Sequence, residues 1–137
     1  MRETGRTGYA ATLLGRRRYF PEIRSHIYGV RQAAIRATLN APIQGTASDI
    51  VKIAMIEVSR FLEREAPDVK MLLQVHDELL LEGPEAELRR IAPELVRIME
   101  GAMDLEARLH VDLKLGTNWE DMHPLVLEEA PASLPSA

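Results

Sequence analysis

The chain has 137 residues, 46% of them hydrophobic and 28% charged, with a formal net charge of −4 and no cysteine. This is enough for one modest domain with a real core, and the missing cysteines exclude a disulfide framework and a thiolate metal site. No run approaches the roughly 18 apolar residues of a membrane helix, and the start from Met1 to Arg6 has no apolar leader, so we expect a soluble, intracellular protein.

The average charge hides an asymmetry. Residues 1–40 carry eight arginines against two glutamates, a net of +6, while residues 41–137 carry nine basic against nineteen acidic side chains, a net of −10. A basic lobe joined to an acidic one can hold a polyanion at one end and a divalent metal at the other; the plainer alternative is a solvated charged face.

In chain order, Gly8 to Leu14 reads as a short strand, Gly15 as a turn, and Arg16-Arg17-Arg18-Tyr19-Phe20 as the return, giving a small hairpin that carries arginines. Pro21 closes it, because proline fixes φ and disfavours helix in the residue before it. His26 to Leu39 has Ile27, Val30, Ala34 and Ala37 or Thr38 at helical spacing, leaving Arg24, Arg31 and Arg36 for solvent or phosphate. Asn40 and Pro42 are expected to interrupt that helix. A longer amphipathic helix follows, with Ala47, Ile50, Val51, Ala54, Val58, Phe61 and Leu62 on one stripe and an end near Ala66-Pro67.

Met71 to Val75 and Leu79 to Leu81 are too short for independent helices and read as two strands folded back at His76-Asp77. Pro84 opens a further helix whose apolar face is Leu88, Ile91, Ala92, Leu95, Ile98, Met99 and Ala102. His110 to Leu115 alternates as a third main strand, with Val111, Leu113 and Leu115 on one side, and Trp119 is expected to anchor its end. The expected fold class is α+β: an antiparallel sheet of the 71–75 and 78–82 hairpin with the 109–115 strand, backed by two amphipathic helices. Residues 1–123 form the ordered part, and 124–137 an unstructured tail.

The turn displays Asp77 and Glu78. Carboxylates at the tip of a hydrophobic hairpin are held by the packing behind them while their oxygens stay open to a hard cation such as Mg²⁺. Mg²⁺ usually takes one or two carboxylates plus substrate phosphates, so a partner carboxylate is wanted, and the hairpin does not say which residue supplies it.

Three blocks together resemble the C-terminal part of the family A DNA polymerases, the DNA polymerase I group. They are Gly8 to Tyr19 (Gly-Tyr-Ala-Ala-Thr-Leu-Leu-Gly-Arg-Arg-Arg-Tyr), Asn40 to Asp49 (Asn-Ala-Pro-Ile-Gln-Gly-Thr-Ala-Ser-Asp) and Gln74-Val75-His76-Asp77-Glu78. The likeness runs from about Gly5 to the closing Gly116-Thr117-Asn118-Trp119. It implies a palm-domain fragment in which Asp77 binds the catalytic metal ions, two Mg²⁺ in a complete active site, together with an aspartate from an earlier strand. Glu78 then assists less directly, and His76 lies near the primer terminus. It also implies that Asn40 and Gln44 lie beside the minor groove of the primer–template duplex, where amides suit acceptors found at similar places in every base pair. Arg16, Arg17 and Arg18 lie near a strand backbone, where guanidinium forks match phosphate oxygens.

The residue-level alternatives remain open: His76 as a turn histidine, and Asn40 or Thr46 as helix caps. Departures from the family pattern also count. No aspartate precedes Asp49, and no Arg-x-x-x-Lys-x-x-x-Phe-Gly-x-x-Tyr-Gly pattern is present. The expectation is therefore a piece of a DNA-directed DNA polymerase, cytoplasmic and nucleoid-associated, inactive by itself. It would work with the remainder of the polymerase chain on primer–template DNA and deoxynucleoside triphosphates, with weak Mg²⁺ affinity of its own and exposed apolar surface. Two other classes compete: a stand-alone, non-catalytic duplex-DNA-binding module, and a different metal-dependent phosphoester enzyme pairing Asp77 and Glu78 with a group such as Asp112.

Overall fold

A computed structural model of the chain describes residues 7–127. Its contacts gather into two compact units, one up to Ile53 and one from Ala54 onward. Elements run in the order β1 (Tyr9–Ala11), β2 (Arg17–Tyr19), a 3-10 turn (Pro21–Arg24), α1 (Tyr28–Glu65), β3 (Lys70–Val75), β4 (Glu78–Glu82), α2 (Glu85–Glu100), β5 (Lys114–Gly116) and β6 (Met122–Pro124). Helices and small antiparallel sheets together make the α+β class expected from the sequence.

In the first unit, β1 and β2 pair antiparallel with Ala10 opposite Arg18. Gly15, at φ 81°, turns the chain where a side chain would strain the backbone. Ala10 and Phe20 bury themselves with Ala41, and Ala37 packs beside them. The small side chains at 37 and 41 are what let a hairpin lie this close to a helix.

The expected break at Asn40 and Pro42 does not occur: α1 is one helix of 38 residues with Pro42 inside it. Proline removes one amide donor, so the Thr38 carbonyl loses its helical partner, but the turns on either side keep theirs. Thr38 itself is buried, and its hydroxyl donates to the Ile35 carbonyl at 2.7 Å. The burial of Ala34, Thr38 and Ala41 on one side holds the helix through the proline. Ile27, Tyr28, Leu39 and Ile43 are exposed, matching the apolar surface foreseen from the sequence.

The second unit has the larger core. Val58 at 0% exposure and Ile91 at 1% sit at its centre with Leu62, Ala66, Val69 and Leu95. Met71, Leu79 and Leu81 from the β3–β4 hairpin pack against them, as do Leu88, Ile98 and Met99 from α2. Helix α2 thus lies on the hairpin as its apolar stripe demands, although it ends at Glu100, leaving Ala102 outside. Pro93 is accommodated within it. Arg90 donates to the Glu65 carbonyl at 2.7 Å, satisfying one of the free acceptors at the end of α1.

The third strand differs from expectation. Burial alternates as foreseen, with Val111, Leu113 and Leu115 half-buried and His110, Asp112 and Lys114 exposed, but the ladder begins only at Lys114. It pairs with β6, not with the hairpin, so the strands form three separate two-stranded sheets. A period of two gives the faces of a strand without naming its partner. Gly116 is required there, because a Cβ would lie 2.0 Å from the Asp121 carbonyl oxygen. Trp119, expected to anchor the end of the strand, is 53% exposed and is not part of the buried core. Of the expected tail, Pro124 pairs with Lys114 and the Leu125 amide donates to the Leu113 carbonyl; residues 128–137 lie outside the described part.

Candidate metal turn and basic hairpin

The β3–β4 hairpin pairs Val75 with Glu78 and Gln74 with Leu79, leaving His76 and Asp77 as a two-residue turn. His76 takes φ 54°, the left-handed conformation a tight two-residue turn calls for. The Gln74 side-chain amide donates to the His76 carbonyl and braces the turn. A register shift between Met71 and Leu73 adds local twist further down the hairpin. His76, Asp77 and Glu78 are all exposed, and the Asp77 and Glu78 carboxylates have no ion-pair partner among the described residues.

Asp77 and Glu78 open on a hollow of about 560 Å³ that His110, Asp112, Lys114 and Glu120 also line. His110 lies 3.4 Å from both Glu100 and Asp112. No set of three or more His, Asp or Glu side chains is placed to hold a metal ion among the described residues. Asp77 and Glu78 are two unpaired carboxylates, fewer than the full ligand set of a hard cation, and Asp112 does not complete one among the described residues.

In the first unit, the predicted duplex-facing residues fall into two groups. Gln44, Arg16, Arg17 and Arg18 line one hollow of about 210 Å³ together with Thr12, Gly45 and Ser48. Asn40 is exposed one helical turn before Gln44 and does not line the hollow. Both amides lie within α1, so Asn40 is not a helix cap; neither is Thr46, whose hydroxyl accepts from the Leu13 amide at 3.2 Å.

The three arginines differ. Arg16 Nε donates to Asp49 Oδ1 at 2.9 Å, and its NH2 donates to the Gly45 carbonyl at 2.8 Å. The Arg17 guanidinium lies 4.6 Å from the Tyr9 ring centroid, and that of Arg18 lies 5.3 Å from the Phe20 ring. Neither has an ion-pair partner among the described residues.

Asp49 is the residue that sequence reasoning missed. It is 7% exposed, and its Oδ2 is buried without a hydrogen-bond partner among the described residues. The neighbouring Thr12 hydroxyl, then Arg16 and Lys52, hold its carboxyl below the usual range, while burial works the other way. No spacing rule marks a contact across 33 residues; the signal available was an acid inside a block otherwise read for its amides.

The family model for DNA polymerase family A matches residues 1–121. DNA polymerase I of Geobacillus stearothermophilus is 46% identical over 121 residues, covering 88% of this chain and 14% of that protein. DNA polymerase I of Mycobacterium tuberculosis H37Rv is 49% identical over 113 residues, covering 82% of this chain and 12% of that protein. Among solved structures, the polymerase domain of Pol1 from M. smegmatis, in complex with DNA primer–template and dNTP, aligns with a TM-score of 0.75. That match has 45% identity and covers 80% of this chain and 19% of that one. The chain thus spans about a seventh of the curated relatives it matches. With the basic hairpin, the Gln-Gly-Thr block and the carboxylate turn all present in one matched stretch, the chain belongs to DNA polymerase family A.

Proposed function

We propose that this chain is the C-terminal palm portion of a DNA-directed DNA polymerase, supplying one of the metal-binding carboxylates and part of the duplex-binding surface. The observation that carries the reading is the exposed Asp77-Glu78 pair on a braced turn, rigid behind and free in front. Asp77 would hold divalent metal, Mg²⁺ on this reading, with Glu78 in support and the second carboxylate coming from the remainder of the polymerase. When bound, the metal ions would supply Lewis-acid stabilisation of a transferring phosphoryl group and lower the pKa of the primer 3′-hydroxyl.

What the chain itself contributes is placement. The β3–β4 hairpin fixes where the Asp77 oxygens sit, because Met71, Leu79 and Leu81 are locked into the core. His76 sits beside them, on the side of the primer terminus in this reading. Gln44 and Asn40 offer amides to minor-groove acceptors, and Arg17 and Arg18 offer cations to phosphate. By itself the chain is expected to be inactive. Its setting is cytoplasmic, and no helix among the described residues is long and apolar enough to cross a membrane.

The test is Asp77→Ala in the full-length polymerase, assayed for incorporation and for duplex affinity. Incorporation falls to background while the duplex dissociation constant stays within about threefold; a variant that still extends primers at the parental rate refutes the assignment.

A further inference from the structure

Three consecutive arginines leave the same turn, yet their guanidinium groups meet different surroundings. Arg16 spends its donors on Asp49 and on the Gly45 carbonyl, both on α1. The same contact is closed from the hairpin side by the Leu13 amide on Thr46 and by the Arg16 amide on the Thr12 hydroxyl, each at 3.2 Å. Gly45 is where the two elements come closest: a Cβ there would lie 2.5 Å from the Thr12 methyl carbon. Asp49 is more than nine-tenths buried, and a buried carboxylate is costly unless a cation answers it. The guanidinium groups of Arg17 and Arg18 lie over rings instead, and neither has an ion-pair partner among the described residues.

We propose that Asp49 is a positioning residue for duplex binding: it withdraws Arg16 from phosphate contact and uses it to lock the hairpin onto α1, so that Arg17 and Arg18 are the cations presented to the DNA backbone. This rests on the duplex-binding reading given above. It runs against simple electrostatics, since removing an anion from a DNA-facing surface should strengthen binding by charge alone.

The experiment measures duplex affinity of the full-length polymerase across a range of salt concentrations for Asp49→Asn, Arg16→Gln, the two combined, Arg16→Lys, Arg17→Ala and Arg18→Ala. Asp49→Asn weakens binding by about tenfold, the scale of coupling between networked side chains, with the salt slope unchanged. Arg16→Gln does the same, and the combined variant binds no more weakly than the weaker single one. Arg17→Ala and Arg18→Ala each lower the slope by about 0.9. Arg16→Lys keeps the charge but cannot reach Asp49 and Gly45 together, so it weakens binding as well. This variant carries the test if Asp49→Asn does not fold.

Parental or tighter binding by Asp49→Asn, or by Arg16→Lys, overturns the positioning role and leaves the duplex reading standing. An unchanged slope in both Arg17→Ala and Arg18→Ala overturns the duplex reading and the proposal with it.

Discussion

The unit up to Ile53 and the unit from Ala54 onward hold their candidate functional side chains by opposite means. In the second, Asp77 and Glu78 are placed by apolar packing: a hairpin whose inner residues join Val58, Leu62 and Ile91 carries two unpaired carboxylates at its tip. In the first, the buried apolar cluster is only Ala10, Phe20 and Ala41 with Ala37 beside it, and the hairpin is held by the polar contacts of Arg16, Asp49, Gly45 and Thr46. On the proposed reading, carboxylates left unpaired stay open to a metal. A basic hairpin, by contrast, can use one of its own cations as the fastener, and keeps two.

The comparison breaks most visibly at the turn. Asp77→Asn in the full-length polymerase keeps the side chain's shape and removes its charge, so primer extension drops to background. Glu78→Gln lowers it by about tenfold, a group acting beside the metal-binding carboxylate rather than as it. Single-turnover extension at saturating duplex separates the two, and equal losses would mean that the pair acts as a unit.

Next in size is the packing behind that turn. Ile91→Ala leaves a cavity in the second unit and costs about 2–5 kcal/mol of stability by chemical denaturation. The salt slope of duplex binding stays parental, because no phosphate contact is touched.

A smaller effect sharpens the picture of the first unit. Alanine is the better helix former at position 45 by about 1 kcal/mol, yet its Cβ would collide with the Thr12 methyl group. Gly45→Ala therefore displaces the hairpin and weakens duplex binding several-fold without unfolding the chain. Adding Thr12→Ser, which removes that methyl, restores binding; titration of the pair of variants against duplex checks this.

The smallest effect is on acid stability. Because the Asp49 carboxyl titrates below its ordinary value, it stabilises the folded state above the usual aspartate pKa of about 3.9. That contribution is lost as pH falls through the lower, folded value. Asp49→Asn should therefore flatten the loss of stability below about pH 4 and leave the neutral-pH curve parallel to the parent, as urea melts across that range would show.

How much of this was readable in advance follows from the range of each interaction. The hairpin at 76–77, the arginine turn at Gly15 and the apolar stripe of α2 depend on residues a few positions apart, and periodicity and turn chemistry reach that far. The passage of α1 through Pro42 depends on what covers residues 34, 38 and 41, which no local rule contains. The partner of β5 is a choice between strands of equal local quality. Among candidate site residues, Asp77, Glu78, His76 and the arginines were legible as motif positions, whereas the different surroundings of Arg16, Arg17 and Arg18 came only with the contact to Asp49.

The most direct test compares two variants of the full-length polymerase side by side: Asp77→Ala, and Arg17→Ala combined with Arg18→Ala, each measured for duplex affinity and for single-turnover extension at saturating duplex. We predict that the first binds duplex nearly as the parent does and does not extend it, while the second binds weakly, with a reduced salt slope, and still extends the primer once saturated. Extension by the first, or parental binding by the second, would contradict the assignment of chemistry to the carboxylate turn and of DNA contact to the basic hairpin.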